Sequence, residues 1–436
     1  MTSKILARAI IKAILSHPAV SKTAKGFTLA YLYVILPRVF AYLSKAASGR
    51  STFKEALQRS YKVAKRGLLP NRFPTFVART IFGVYALEHV LSRVVSRNKR
   101  SNMFVSSLIA SAYAFYNYKR DLSSHPVSSD TTDITLTFLV RGLDMLVRTL
   151  AARRGVSQSV LGLSDVALFT FACFFIMFAW FYYPERLPPS YRKWITMAAN
   201  MDDELIGVLR GVRKGEIVYG QSEKYDDYLK AMCERIGMDP EVGKFSNKGG
   251  RQGLPCRLVH RNVTDNCEVH AVYRFYRGFT TAISIYLPLN VLVALPSLSW
   301  KKAWKRVILS SSRSSAFLAA FITLNWYSVC IARTRLGPKL FPEATAQQVE
   351  DSWGPGLGSL TCGLSSLIET PKRRGELALF VSPRALSVAL PNEFHEKYFR
   401  TEVLLFALSF ATILTGVQSG NPNIRGVFRR LMGAVF

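Results

Sequence analysis

Two cysteines and two histidines form the clearest group of potential metal ligands in this sequence. They are Cys256, His260, Cys267 and His270, in the spacing C-x3-H-x6-C-x2-H. Two thiolates and two imidazoles can close a tetrahedral zinc site, which would order a loop that has little core of its own. These intervals are not those of a common zinc finger. Two other interpretations stay open: a Cys256–Cys267 disulfide, or side chains that pack without mutual contact.

The four residues lie near the end of a polar stretch, residues 184–278, that separates two sets of apolar segments. Within it we expect short polar helices near residues 202–212 and 223–236, and a loop rich in glycine and charge at residues 244–253. This connector is the one part of the chain that the pattern predicts to lie outside a membrane.

The apolar segments occur twice in the same order. Five run from Phe27 to Tyr183 and five from Phe279 to Val417. The opening strings, FTLAYLYVILP and FTTAISIYLP, share Phe-Thr-x-Ala, and a basic connector follows each of them. We therefore predict a duplicated helical bundle with repeats at residues 27–183 and 279–418, flanked by a basic amphipathic segment at 1–26 and a basic tail at 419–436. Five crossings in each repeat would make the two halves inverted.

Composition favours a membrane protein. Apolar residues make up 49% of the 436 residues although the formal net charge is +30. The strongest segment, Val166–Tyr183, is free of charged residues and covers ~27 Å as a helix, close to the ~30 Å of a hydrocarbon core. The predicted fold class is thus an all-α, polytopic integral membrane protein. Almost every connector is basic, so the positive-inside rule gives no orientation.

Positive charge also bears on the partners of the chain. No acidic residue precedes Glu55, and Lys4, Arg8 and Lys12 fall on one stripe of an amphipathic N-terminal helix. Such a segment is typical of a mitochondrial targeting helix or of a helix on an anionic membrane surface. The basic residues are spread through the connectors and no nucleic-acid-binding motif occurs, so we expect lipid headgroups rather than nucleic acid as the partner.

Two further groups of residues are candidates within the predicted bundle. Small residues at helical spacing would allow helix backbones to approach closely. The simpler interpretation is that they only pack helices together, and the functional one is that they line a pathway through the membrane. Ionisable residues inside a membrane are functional candidates, although a self-satisfying ion pair is an equally good interpretation. The small residues are Gly354, Gly358, Gly363, Ser107 and Ser111, and the ionisable residues are Arg141, Asp144, Arg148 and Arg384.

Enzyme signatures are missing from the sequence. It has no P-loop, Rossmann glycine pattern, G-x-S-x-G or H-E-x-x-H motif, and carboxylates are scarce. We therefore expect no catalysis, no catalytic residue, and no cofactor other than a structural zinc ion.

Several unusual strings resemble the fungal branch of the transmembrane protein 135 family. They are PERLPPSYRKWI, PCRLVH followed by CEVH, FTTAISIYLPLN, SSRSSAFLAAFI, CIARTRLGP and LALFVSPRAL. The resemblance covers roughly residue 184 to the C-terminus, and the first half is matched more loosely through the repeat. It implies a cysteine-rich region that would include Cys256 and Cys267. It also implies a distant relation to the channel-forming proteins of the mitochondrial inner-membrane translocases.

The resemblance implies a multi-spanning protein of peroxisomal or mitochondrial membranes that acts in organelle shape or fission and in lipid metabolism, in contact with the bilayer and with other organelle membrane proteins. The alternative is a transporter or channel for a lipid or small solute, with its site between the two repeats.

Overall fold

The structure is a computed structural model that describes residues 18–95, 98–123, 131–221, 223–250, 252–295, 300–390 and 397–436. Within these ranges the regular secondary structure is helical and no strand occurs. The all-α fold class is therefore confirmed. Most of the predicted amphipathic N-terminal segment, residues 1–17, lies outside the described residues, and residues 18–26 belong to the first helix.

The N-terminal part of the chain forms long helices and one short basic helix. Their bounds are Pro18–Ala47 (α1), Phe53–Gly67 (α2), Phe73–Val94 (α3), Lys99–Ser123 (α4), Thr131–Arg153 (α5) and Gln158–Tyr182 (α6).

The polar connector forms short helices, as predicted. They are Pro189–Ala199 (α7), Asp203–Arg213 (α8), Lys230–Arg235 (α9) and Cys256–Val259 (α10), with 3-10 turns at Pro184–Arg186, Glu223–Leu229 and Pro240–Gly243.

The C-terminal part is again dominated by long helices. The bounds are Cys267–Ala294 (α11), Trp300–Ile331 (α12), Gly337–Leu340 (α13), Ala346–Gln348 (α14), Gly354–Thr361 (α15), Pro371–Ala389 (α16), Phe399–Gln418 (α17) and Gly426–Val435 (α18). Two π-helical turns, Ala332–Leu336 and Val349–Trp353, and a 3-10 turn, Cys362–Ile368, connect some of them.

Among the residues that the structure describes, five helices are long and apolar enough to cross a membrane, as expected of a membrane protein. They are α1, α6, α11, the stretch Ala303–Leu340 and α17. The predicted ionisable residues lie on α5 and α16, which are not among these five. Their depth in a membrane therefore stays a prediction.

One compact unit consists of Met1–Val156 and Glu393–Phe436. Here α1 packs on α3, α3 packs on α4, and α17 packs on both α4 and α5. Aromatic rings occupy the centre of this packing. The rings of Phe115 and Phe406 stack with centroids 4.2 Å apart, and Phe76 meets Phe115 edge-on at 5.8 Å. Such pairs add ~0.5–1.5 kcal/mol beyond the burial of their area.

The second compact unit consists of Ser157–Asn392. In it α11 packs on α12, and α12 packs on α15 and on the following 3-10 turn. Helix α6 packs on α15, on that 3-10 turn and on α16. The polar connector has an apolar core of its own, with Leu229, Met232, Phe245 and Leu258 fully buried. The connector is thus a folded part of this unit.

In both units the first apolar helix packs on the second, the second packs on the third, and a fifth helix packs on the third and the fourth. In each unit this fifth helix comes from the other predicted repeat. The fifth segment of the first repeat, α6, belongs to the second unit, and the fifth segment of the second repeat, α17, belongs to the first. The compact units therefore differ from the predicted repeat bounds, which themselves stay a prediction.

Close backbone packing between α6 and the 3-10 turn after α15 depends on Gly363. A Cβ at this position would fall well inside van der Waals contact with the backbone of Thr170. Gly363→Ala should therefore lower the free energy of unfolding by the ~1–3 kcal/mol typical of overpacking. A lower thermal unfolding midpoint of the detergent-purified protein would show this loss.

Gly356→Ala is the matched control for this substitution. A Cβ at Gly356 would meet nothing within 4 Å, and the residue lies inside α15. Since alanine favours helix over glycine, the control should keep or raise the midpoint. Equal midpoints for wild type, Gly363→Ala and Gly356→Ala would contradict the close approach.

Candidate metal centre

Three elements of the second unit bring cysteine and histidine side chains together. Cys256 opens the single turn α10 after Pro255, and His260 follows one turn later on the same face. Cys267 is the first residue of α11, whose N-terminus is capped by the Asn266 side chain through the amides of residues 268 and 269. Ligand atoms of Cys256, His260 and Cys267 all lie within 4.8 Å of one another.

The imidazole of His260 is fully buried and its orientation is fixed. Nδ1 lies 2.8 Å from the Thr264 carbonyl oxygen, so Nδ1 carries the proton and donates it there. Nε2 is thereby left as an acceptor and lies 3.2 Å from the Cys330 Sγ. Metal-binding histidines commonly show this arrangement, in which a carbonyl holds the nitrogen that does not bind the ion.

Burial also keeps His260 in its neutral, metal-binding form. Burial is the largest cause that lowers the pKa of His260, and the guanidinium groups of Arg333 and Arg274 act in the same direction, against the hydrogen bond to Thr264. Burial likewise raises the pKa of the Cys256 thiol. A bound cation would displace the thiol protons, because thiolates are the ligating form.

Cys330, near the end of α12, is a member of the cluster that the sequence analysis missed. It is buried, and its thiol faces His260 and also Cys267. It lies within an apolar segment of the sequence, where a cysteine is usually interpreted as a small hydrophobic residue. Its distance along the chain gave no signal, because only the packing of α12 on α11 brings it to the loop.

His270 joins the cluster in a different way from the predicted one. Its ring stacks on that of His260, with centroids 3.9 Å apart and planes 16° from parallel. An ion bound to an imidazole nitrogen lies in the ring plane, so two stacked rings do not share one ion in this arrangement. The His270 Nε2 instead accepts a hydrogen bond from the Arg274 Nε at 3.2 Å.

The ligand atoms form two overlapping groups, Cys256–His260–Cys267 and His260–His270–Cys330. Because the stacked rings do not direct two nitrogens at one ion, we take Cys256, His260, Cys267 and Cys330 as the candidate donors. Zinc–sulfur bonds of about 2.3 Å and zinc–nitrogen bonds of about 2.0 Å separate neighbouring donors of a tetrahedral site by ~3.5–3.8 Å. The observed separations are 4.0 Å between the Sγ atoms of Cys256 and Cys267, and 3.2 Å between His260 Nε2 and Cys330 Sγ. Three thiolates and one imidazole are a donor set that closed structural zinc sites use.

Polar contacts hold the surroundings of these donors. Arg333 pairs with Glu350 at 2.5 Å and also donates to the Leu254 carbonyl, and Tyr219 donates to Glu350 at 2.5 Å. A cavity of ≈ 260 Å³ lined by Cys256, Arg333 and Glu350 adjoins the cluster and offers an ion a path to Cys256.

The structure brings the predicted small residues into close packing. A Cβ at Gly358 would lie 2.7 Å from the Asn325 carbonyl oxygen, and one at Gly354 would lie 3.4 Å from the Val329 Cγ1, so α15 lies directly on α12. Ser107 and Ser111 are fully buried on α4, and their hydroxyls donate to carbonyls one turn earlier. These contacts are those of helix packing.

The predicted ionisable residues separate into different environments. Asp144 accepts from Arg148 at 3.0 Å, as the helical spacing suggested, and also from Arg425 at 2.6 Å, which sequence reasoning missed. The guanidinium of Arg141 lies over the Phe428 ring at 5.0 Å. In the second unit Arg384 lies over the Tyr191 ring at 5.8 Å.

We propose that the four donors bind zinc, and substitution of each donor tests this. Cys330→Ser and Cys267→Ser should each lower the zinc content of purified protein from about one ion per chain to near zero, since three ligands bind far more weakly. His270→Asn should retain the ion, because the stacked ring is not a donor. Elemental analysis measures the content, and the absorption of the cobalt-substituted protein reports the thiolates.

Cys233→Ser is the matched control, because Cys233 is also buried but belongs to the apolar core of the connector. It should leave the zinc content unchanged. Zinc loss in His270→Asn with retention in Cys330→Ser would restore the ligand set predicted from spacing. Equal zinc in all variants would overturn the site.

Comparison with known proteins gives this chain no family. No protein-family model, curated protein or solved structure matches it. The resemblance to the transmembrane protein 135 family therefore stays a prediction based on the strings quoted above.

Proposed function

We propose that the chain is a polytopic integral protein of a peroxisomal or mitochondrial membrane, with a non-catalytic role in organelle shape and lipid metabolism. The observation that carries the membrane part is helix α11. It has an apolar window long enough to cross a bilayer, yet only 6% of that window is buried. Leu292 and Val293, near its end, are 62% and 73% exposed. Water would oppose such a surface, whereas lipid tails solvate it.

The organelle and the role are supported by the sequence. The strings that resemble the transmembrane protein 135 family imply both, and the basic connectors suit anionic headgroups. The zinc site fits a structural function in this context, because it would fasten the polar connector to α11 and α12, two helices of the membrane-crossing type.

Membrane insertion and location can be tested with one tagged full-length protein. It should remain in the pellet after alkaline carbonate extraction and should coincide with mitochondrial or peroxisomal markers by microscopy. Deletion of the gene should change the number or length of these organelles and their lipid composition. Release into the supernatant would overturn the proposal, and so would an unchanged organelle in the deletion strain.

A specific observation favours transport as a second candidate function. Lys119 on α4 and Glu402 on α17 form an ion pair in the interior of the first unit, with side chains 4% and 0% exposed. Thr135 donates to the same carboxylate at 3.3 Å. Buried ionisable residues in a membrane protein are costly and often mark pathways for protons or solutes. A purely structural ion pair is the competing interpretation.

Removal of one or both charges separates these interpretations. Glu402→Gln should destabilise the protein by ~3–5 kcal/mol, because it leaves the ammonium buried and unpaired, and Lys119→Met/Glu402→Gln should regain most of this loss. Vesicles containing the wild type would be assayed for proton uptake with an internal pH dye and for exchange of a fluorescent phosphatidylcholine between leaflets. Transport predicts activity that the stable double variant lacks.

The pair Lys214 and Glu216 provides the control. It joins exposed residues of the connector at 3.9 Å, so Lys214→Gln/Glu216→Gln should change stability by less than about 1 kcal/mol and leave any flux intact. Wild-type vesicles without proton or lipid movement would remove the second candidate.

A further inference from the structure

Helix α2 uses only part of its apolar surface to pack on the helix before it. Ala56 and Gly67 are buried, and the Tyr31 hydroxyl of α1 donates to the Ala64 carbonyl at 3.0 Å. A Cβ on Gly67 would lie 2.9 Å from the Ile35 Cδ1. These contacts define the inner face of α2, which is made of small residues.

A second apolar stripe lies beside this inner face and points outwards. Phe53, Leu57 and Tyr61 follow one another at four-residue spacing and are 68%, 59% and 68% exposed. Two aromatic rings and a leucine in one line form a continuous apolar edge rather than scattered surface residues.

The remaining face of α2 is strongly basic. It carries Lys54, Arg59, Lys62, Lys65 and Arg66 against a single acidic residue, Glu55. Glu55 offsets one of these charges through a loose pair with Arg59 at 3.8 Å. A basic face beside an exposed apolar stripe is the pattern of helices that lie in the interface of an anionic membrane.

The position of α2 along α1 indicates where the headgroups pass. The start of α3 meets the middle of α1, where the Tyr33 and Phe73 rings are 6.5 Å apart, and α3 continues beside the first half of α1. Helix α2 instead runs from the end of α1 back to its middle, beside Tyr31 and Ile35. Because charged side chains are disfavoured in hydrocarbon, the basic face of α2 favours a position of the second half of α1 near the membrane border.

The second half of α1 matches this placement. Leu36 and Phe40 on it are 58% and 73% exposed, so the apolar edge of α2 is accompanied by a second one on the helix beside it. Together the two helices form a hairpin with wide apolar and basic surfaces.

We propose that this hairpin is an interfacial membrane-binding element that recognises anionic phospholipid headgroups. Phe53, Leu57 and Tyr61 enter the boundary between headgroups and acyl chains, and the lysines and arginines of α2 bind lipid phosphates and carboxylates. The inference rests on the membrane insertion proposed above and adds a lipid class and a binding surface to it.

Single cysteines on the two faces test the immersion of α2 in full-length protein. Leu57→Cys and Lys62→Cys replace exposed residues of opposite character and should fold like the wild type. In phosphatidylcholine–phosphatidylserine vesicles, a membrane-impermeant maleimide should label Leu57→Cys at least about tenfold more slowly than Lys62→Cys, since the interface shields the apolar stripe. Both should label equally in dodecyl sulfate, and labelling of the wild type is subtracted.

Charge variants test the lipid class. Lys62→Gln/Lys65→Gln/Arg66→Gln should reduce the phosphatidylserine retained from mixed vesicles by at least about tenfold relative to phosphatidylcholine. Mass spectrometry of the bound lipid measures the ratio. Lys214→Gln/Lys224→Gln/Lys230→Gln removes the same charge from exposed residues of the connector and should leave the ratio unchanged.

Equal labelling of the two cysteines, or an unchanged lipid ratio in the α2 variant, overturns the inference. Photocrosslinking from Leu57→Cys to another protein rather than to lipid, in native membranes, would indicate a protein partner and also overturns it. Release of the protein from the vesicles by carbonate would contradict the proposed membrane function itself. Retention of the protein in the pellet together with equal labelling of the two cysteines would contradict only the hairpin proposal.

Discussion

A polar or charged group on an apolar helix needs a partner, and this constraint shapes both units. In the first unit, Lys119 finds Glu402 and Asp144 finds Arg425, in each case across a large distance in sequence. In the second, the Arg274 guanidinium lies over the Trp326 ring at 3.9 Å and donates to the Asn200 carbonyl at 3.0 Å. Lys119, Glu402 and Arg274 are buried, so the loss of their partners would be costly, because an unpaired buried charge cannot return to water. The pair of Asp144 and Arg425 is only partly buried.

The same constraint explains why the cysteine–histidine cluster is a defined site. His260 is fully buried, and its two nitrogens are directed to a carbonyl and to a thiol. A loop with one helical turn could not achieve this alone. The start of α11 and the end of α12 supply the other sulfur atoms, so the site forms only when these helices pack together. A zinc ion would in turn fix the loop to both helices.

Helix α2 shows the opposite situation. Its basic residues face outwards next to exposed aromatic rings, and among them only Arg59 has an acidic partner within the described part of its unit, Glu55. A membrane surface satisfies both needs at once, because headgroups pair with the charges while acyl chains cover the rings. These charged residues therefore fall into two groups. Lys119, Glu402 and Asp144 pair with residues of their own unit, and the basic residues of α2 face the proposed membrane surface.

The sequence by itself determined the helical class, the approximate positions of the apolar helices and the short polar helices of the connector, and it placed Asp144 within reach of Arg141 or Arg148 on one helix face. These depend on periodicity and on neighbours within one or two turns, which a sequence displays directly. Only the tertiary structure decided that α6 and α17 each pack with the other half of the predicted repeat, that Cys330 lies beside His260 and Cys267, and that Glu402 pairs with Lys119 and Arg425 with Asp144. Such partners are set by which helix faces meet, and spacing along the chain carries no record of that choice.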